Sequence, residues 1–166
     1  AWYHFTIIET GFIYPVHNSC AFAHFSKNTC HEGSLENMLN IAVCDDEAWY
    51  IQQITELLQA YLHDHPSLNG QIHTFENGET LLSQVKCSGG FDLYLMDIIM
   101  PELNGIQTGF LLRELGDGGE IIYLTTSTDY AVDSYAVRAF FYLLKPVDRE
   151  QFFTVLDAAI DKLNLR

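Results

Sequence analysis

From residue 38 onward, apolar blocks and amphipathic stretches alternate regularly along the chain. Residues 41–44 form a short apolar run, read as a strand. Residues 46–62 read as a helix with Ile51, Ile54, Leu58 and Leu62 on one side. A second strand is expected at 71–75, a second helix at 79–85, and a strongly apolar third strand at 91–98. The helix expected at 104–115 contains Gly109, which costs about 1 kcal/mol against alanine and so points to close packing on the sheet. A fourth strand at 120–125, a short helix at 130–137 and a fifth strand at 140–144 follow. The last helix, 148–163, opens on Asp148 and Gln151 in the spacing of a capping box and carries the stripe Phe152, Leu156, Ile160 and Leu163. Strands alternating with helices imply an α/β fold: a doubly wound, five-stranded parallel sheet with helices on both faces. Sites in such sheets form beyond the carboxyl ends of the strands.

Residues 1–37 break this pattern. They are rich in His, Cys, Asn and aromatic residues, without a sustained helical stripe or strand alternation. A signal peptide would need a basic start and an unbroken apolar core, and neither is present. Cys20, His24, Cys30 and His31 are ligand types, but their spacing matches no common zinc pattern. The expectation is that residues 1–37 are a non-native or upstream extension and that the domain occupies 38–166.

With 166 residues, 48% of them hydrophobic, the chain can bury a core as one domain with some extra length. Its formal net charge of −14 would repel a phosphate backbone, so direct nucleic-acid binding is not expected. The same charge suits a divalent cation or a basic partner surface. Cys20, Cys30, Cys44 and Cys87 form no C-x-x-C pair, which suits a reducing cytosol. No apolar run is long enough to span a bilayer.

The strand ends carry the chemistry. Asp45 and Asp46 end the first strand, and Asp97 ends the third. If these strands are neighbours, three carboxylates meet at one sheet edge, where two like charges 4 Å apart repel by roughly 4 kcal/mol. Such a cluster calls for a cation, and oxygen ligands with room for water suit Mg²⁺. Acids after strands can also simply cap helices. Asp46 is placed to do that, whereas capping does not explain Asp97. Lys145, before Pro146, puts an ammonium at the same edge, and Thr125 a hydroxyl. Read singly, the lysine is an ordinary salt-bridge partner and the threonine an ordinary strand residue. Together the groups suit phosphoryl transfer onto a carboxylate.

The strings IAVCDDE, LYLMDIIMPELNGI, YLTTS and FYLLKP, in this order and spacing, resemble the receiver domains of bacterial two-component response regulators. The resemblance implies a flavodoxin-like (CheY-like) sheet of order 2-1-3-4-5. It implies that Asp97 is the phosphoacceptor. Asp45, Asp46, Asp97 and the backbone carbonyl of Ile99 would hold Mg²⁺, with Mn²⁺ a possible substitute. Thr125 and Lys145 would contact the phosphoryl oxygens, and Thr125 and Tyr142 would act as the switch. Pro101 and Gly105 would shape the loop after the acceptor, with a cis bond before Pro146. The stretch TTSTDYAVDSYAVRAFFYLLKP is similar to receivers that precede a LytTR-type DNA-binding domain, although Phe141 stands where that subgroup often has Asp.

The resemblance implies a cytoplasmic signalling protein with no catalytic activity beyond its own phosphorylation and dephosphorylation. Its donor would be a sensor histidine kinase. Its output would be transcription through a DNA-binding domain absent from this chain. A phosphorylated homodimer would form through the fourth helix, fifth strand and fifth helix. Two other readings stand beside it. A stand-alone or degenerate receiver would serve as an interaction module, and degeneracy normally removes an acid, hydroxyl or lysine that is present here. A haloacid-dehalogenase-like phosphatase would place its nucleophile in D-x-D after the first strand, where this chain has Asp45-Asp46.

Overall fold

The structure, a computed structural model, describes residues 38–164. Its elements are β1 (Leu39–Cys44), α1 (Ala48–Asp64), β2 (Gly70–Phe75), α2 (Gly78–Ser88), β3 (Leu93–Met96), α3 (Gly105–Glu114), β4 (Glu120–Thr125), α4 (Ala131–Ala136), β5 (Phe141–Leu144) and α5 (Arg149–Asn164). The strands form one parallel sheet in the order β2-β1-β3-β4-β5. The expectations for residues 1–37, including the candidate ligands Cys20, His24, Cys30 and His31, lie outside the described residues.

The period of two along each strand divides the core. Ile41 and Val43 of β1, Leu93 and Leu95 of β3, and Ile122 and Leu124 of β4 face the side covered by α1 and α5. Ala42 and Cys44, Tyr94 and Met96, and Ile121 and Tyr123 face the side covered by α2 and α3. Both faces of the inner strands are therefore dry, which explains their unbroken apolar runs. The edge strands β2 and β5 carry exposed positions instead. Even the acid that opens β4, Glu120, is buried, and Lys162 of α5 bonds it at 3.0 Å.

Several element ends differ from the sequence expectation for identifiable reasons. Helix α1 begins at Ala48, not at residue 46, because an Asp45 carboxylate oxygen accepts the Glu47 N–H at 2.9 Å and Glu47 takes the N-cap position. Asp46 is thus not the cap. The buried face of α1 is Tyr50, Ile54, Leu58 and Tyr61, with Ile51 and Leu62 half-buried at its margins. Strand β3 is shorter than 91–98 because both ends divert their N–H groups to side chains: Phe91 donates to the Tyr94 hydroxyl and Ile98 to Asp97. The stripe of α5 gains Val155 and Ala159, while Leu163 is only half-buried. Of the anticipated box there, the Asp148 carboxylate accepts from the Gln151 N–H at 3.0 Å. A reciprocal box does form on α3, between Asn104 and Gln107. Gly109 meets the expectation of close packing: a Cβ there would lie 2.4 Å from the Tyr123 hydroxyl and 2.5 Å from Val137.

Candidate functional site

Parallel pairing of β1 with β3 brings their carboxyl ends together, and the ladder runs on as the Asp97 N–H donates to the Cys44 carbonyl at 2.9 Å. Asp45 and Asp97 are buried there, and Asp46 beside them is exposed. One carboxylate oxygen from each of the three lies within 4.8 Å of the others. The conditional step in the sequence reading, that these strands are neighbours, therefore holds.

Lys145 arrives from beyond β5 and crosses the end of β4, where its N–H donates to the Thr125 carbonyl at 2.8 Å. Its ammonium donates to Asp45 Oδ2 at 2.6 Å and to Asp97 Oδ2 at 3.0 Å, and the side chain is 2% exposed. The other oxygen of Asp97 accepts the Ile98 N–H at 2.6 Å and the Ile99 N–H at 3.2 Å. Asp97 is therefore held from both sides, by a cation on one oxygen and by backbone dipoles on the other. Thr125 is fully buried at the end of β4, and its hydroxyl oxygen accepts the Ser127 N–H at 3.4 Å. Tyr142 is half-buried, with its hydroxyl donating to the Ser127 carbonyl.

The loop after Asp97 is tightly folded. The Leu103 N–H bonds the Pro101 carbonyl at 2.7 Å, and the Gly105 N–H bonds the Ile98 carbonyl at 2.9 Å. Ile99 lies in this loop with its side chain exposed. The Lys145-Pro146 peptide is cis.

Burial raises the Asp45 carboxyl above its usual range, partly offset by the hydrogen bond from Lys145. The same burial acts to depress Lys145, but its bonds and proximity to Asp45 and Asp97 outweigh it, so the ammonium stays charged. Under this cluster, burial and then the charges of Asp45, Asp97 and Asp46 push the Cys44 thiol up to about 12, leaving it neutral and unreactive. Three carboxylates against one ammonium leave the edge net negative, and the donor set is all oxygen, with one exposed member. That set fits a hard divalent cation that keeps some of its water.

The sequence reading missed one neighbour of this site. Tyr50, in the first turn of α1, lies with its ring centroid 4.0 Å from the Lys145 ammonium. The only signal was an aromatic close after the acid pair on an amphipathic helix, whose inward face was assigned to Ile51, Ile54, Leu58 and Leu62.

The family model for the response regulator receiver domain matches residues 41–157. The positive alginate biosynthesis regulatory protein of Pseudomonas aeruginosa is 29% identical over 121 residues, 73% of this chain and 47% of that protein. The sensory transduction protein LytR of Streptococcus mutans is 29% identical over 112 residues, 67% of this chain and 44% of that protein. The chain thus spans about half the length of the curated relatives it matches. Among solved structures, the response regulatory domain of mrkE from Klebsiella pneumoniae superposes with a TM-score of 0.69 at 19% identity, covering 77% of this chain and 100% of that one. Fold, strand order and family match converge: this chain belongs to the response regulator receiver domain family.

Proposed function

We propose that this chain is the phospho-accepting module of a two-component response regulator, and that Asp97 takes the phosphoryl group from a phosphohistidine of a sensor histidine kinase. The observation that carries this is the seat of Asp97, a buried carboxylate gripped by the Lys145 ammonium and two backbone N–H groups beside an acid pair. In the transfer, an Asp97 oxygen bonds to phosphorus, the P–N bond breaks, and the imidazole leaves with a proton. The product is an acyl phosphate. Lys145 and Thr125 meet the phosphoryl oxygens, and fixed donors of this kind stabilise charge without reorganising. Asp45, Asp46, Asp97 and the Ile99 carbonyl would hold Mg²⁺, or Mn²⁺ in its place, which when bound neutralises charge on the transferring group. Self-phosphorylation from small donors and slow self-dephosphorylation are the only chemistry assigned to the chain itself. No acid, hydroxyl or lysine of the set is missing, which disfavours a degenerate interaction module.

Chelation supplies the test. Labelling by a small phosphodonor should require Mg²⁺ and cease with excess chelator; labelling that is indifferent to chelation would refute the site. Mg²⁺ should also stabilise the fold without phosphate, by about 2.7 kcal/mol at a hundredfold excess over Kd. Asp46→Ala should shrink the rise in melting temperature, and a wild-type melting temperature unmoved by Mg²⁺ would count against the ligand set.

The output reading follows from the far side of β4. Thr125 would turn toward a new phosphoryl oxygen, and the Tyr142 ring would swing into the space vacated. On the face of α4, β5 and α5, Val132 and Tyr135 are 79% and 81% exposed, with Phe141 and Leu144 nearby on β5. A stable phosphoryl mimic should convert monomer to a two-fold dimer through this face. Sedimentation with and without the mimic decides it, and a monomer in both samples would overturn the dimer. Transcriptional output through a DNA-binding domain is proposed with the role. A cytoplasmic location is proposed with the role, and no described helix is long and apolar enough to cross a membrane. Residues 1–37 are proposed to be dispensable. A chain shortened to begin at Met38 should fold and be labelled like the full chain, and loss of folding would show that the segment belongs to the domain.

A further inference from the structure

The Lys145 ammonium has three N–H donors, and two of its directions are taken by carboxylates. Its other close neighbour is the face of the Tyr50 ring, at 4.0 Å from the centroid. Tyr50 is 4% exposed and the Lys145 side chain 2%, so little water screens the contact. A cation over a desolvated ring face is attracted more strongly than one at an exposed site.

The placement is tied to Asp45. One Asp45 oxygen accepts from Lys145, and the other accepts the Glu47 N–H that starts α1. Tyr50 stands one turn further, its N–H on the Glu47 carbonyl at 2.9 Å. One carboxylate therefore sets where the cation sits and where the ring beneath it begins. Trp49 braces the ring from outside, with centroids 4.2 Å apart.

We propose that Tyr50 is a positioning residue for Lys145, its ring face seating the ammonium between Asp45 and Asp97 and keeping it there during phosphoryl transfer. The function of that seat rests on the reading of Asp97 as acceptor. When Asp97 gains a phosphoryl group, Lys145 must exchange the Asp97 oxygen for a phosphoryl oxygen. A hydrogen-bonding residue in place of the ring would claim the third donor and pin the lysine. A ring face attracts without a fixed direction and leaves that donor free to turn. The long lysine stem, arriving from beyond an edge strand, gains a stable end point without a third acceptor. Core packing alone, the ordinary role of a buried tyrosine, would be met equally well by any side chain that fills the volume.

The test uses the full chain with Tyr50→Phe, Tyr50→Leu, and a trifluorinated phenylalanine at the same position, which keeps the ring shape but weakens its negative face. Two readouts are followed: the proton shifts of the Lys145 ε-methylene, and the labelling rate with a small phosphodonor and Mg²⁺. The wild type and the Phe variant should show the upfield ring-current shift and label within about twofold of each other, while the Leu variant should lose the shift and label roughly tenfold slower. The fluorinated ring should slow labelling severalfold relative to Phe while the protein stays folded, a comparison that holds even if the Leu variant folds poorly. Equal rates for Phe and its fluorinated analogue, or no ring-current shift on Lys145 in the wild type, would overturn the proposal. A wild type that takes no label would refute the acceptor reading, while the lysine shifts still decide whether the ring seats the cation.

Discussion

Asp97→Asn should take up no phosphoryl group from a small phosphodonor under conditions in which the wild type takes up one. The substitution keeps the shape of the side chain and removes its nucleophile. A carboxylate oxygen bonded to phosphorus gives an acyl phosphate, whereas a neutral amide has no comparable anionic oxygen. The surroundings also turn against the amide. The hydrogen bonds to the Asp97 carboxylate all come from donors: the Lys145 ammonium on Oδ2, and the Ile98 and Ile99 N–H groups on Oδ1. An asparagine can present one oxygen to one of these sets but must turn its NH₂ toward the other. The fold should survive, because Lys145 keeps Asp45 at 2.6 Å and one of three crowded negative charges is gone. Intact-mass measurement decides the matter, with far-UV circular dichroism as the folding control. The wild-type adduct should be labile to hydroxylamine, as an acyl phosphate is. An asparagine variant that labels like the wild type would remove Asp97 from the chemistry.

Much of this site was legible because parallel sheets gather strand ends. Acids at the ends of the first and third strands, a hydroxyl at the end of the fourth and a lysine after the fifth converge only if the strands lie in the observed order; the apolar blocks predicted a parallel sheet, and the resemblance to receiver domains supplied its order. What stayed hidden depends on atoms rather than periods. Asp45 and Asp46 look alike in sequence, yet one is buried against Lys145 and the start of α1 and the other faces solvent. The inner face of α1 was assigned to Ile51, Ile54, Leu58 and Leu62; Ile54 and Leu58 are buried, but Tyr50 and Tyr61 take the other inward positions and Ile51 and Leu62 lie at the margins. An aliphatic count misses this, because tyrosine can bury a ring while its hydroxyl reaches a partner, as Tyr61 does with Asp157 at 2.6 Å. Nor did the sequence reading assign any role to Arg113 of α3, whose guanidinium bonds the carbonyls of Asp117 and Gly119 at 2.9 Å and of Val137 at 3.1 Å. It ties the end of α3 to the end of α4, a link that no spacing rule encodes.

The largest loss of stability is expected from Gly105→Ala, one of the mildest substitutions by volume. A Cβ at this position would lie 2.1 Å from the Asp97 carbonyl oxygen and 2.9 Å from the Asp97 carbonyl carbon and Ile98 Cα. All three are backbone atoms, so no side chain can rotate away. The backbone of Gly105 is also fixed from both sides: its N–H bonds the Ile98 carbonyl at 2.9 Å, and its carbonyl accepts the Tyr123 hydroxyl at 3.0 Å. Relief requires moving either the start of α3 or the loop that carries Asp97. Overpacking of a core ordinarily costs 1–3 kcal/mol, and with only backbone to yield a loss of about 3 kcal/mol is expected here. The phosphodonor reaction should slow as well, since displacement of the Ile98 and Ile99 N–H groups loosens the grip on the acceptor oxygen. Gly118→Ala is the control. A Cβ there meets nothing within 4 Å, and its effect should stay within about 0.5 kcal/mol. Urea unfolding of both variants, with labelling rates measured on the folded protein, separates the two positions. If Gly105→Ala unfolds at the wild-type midpoint and labels at the wild-type rate, the contact between α3 and the acceptor loop is looser than these distances require.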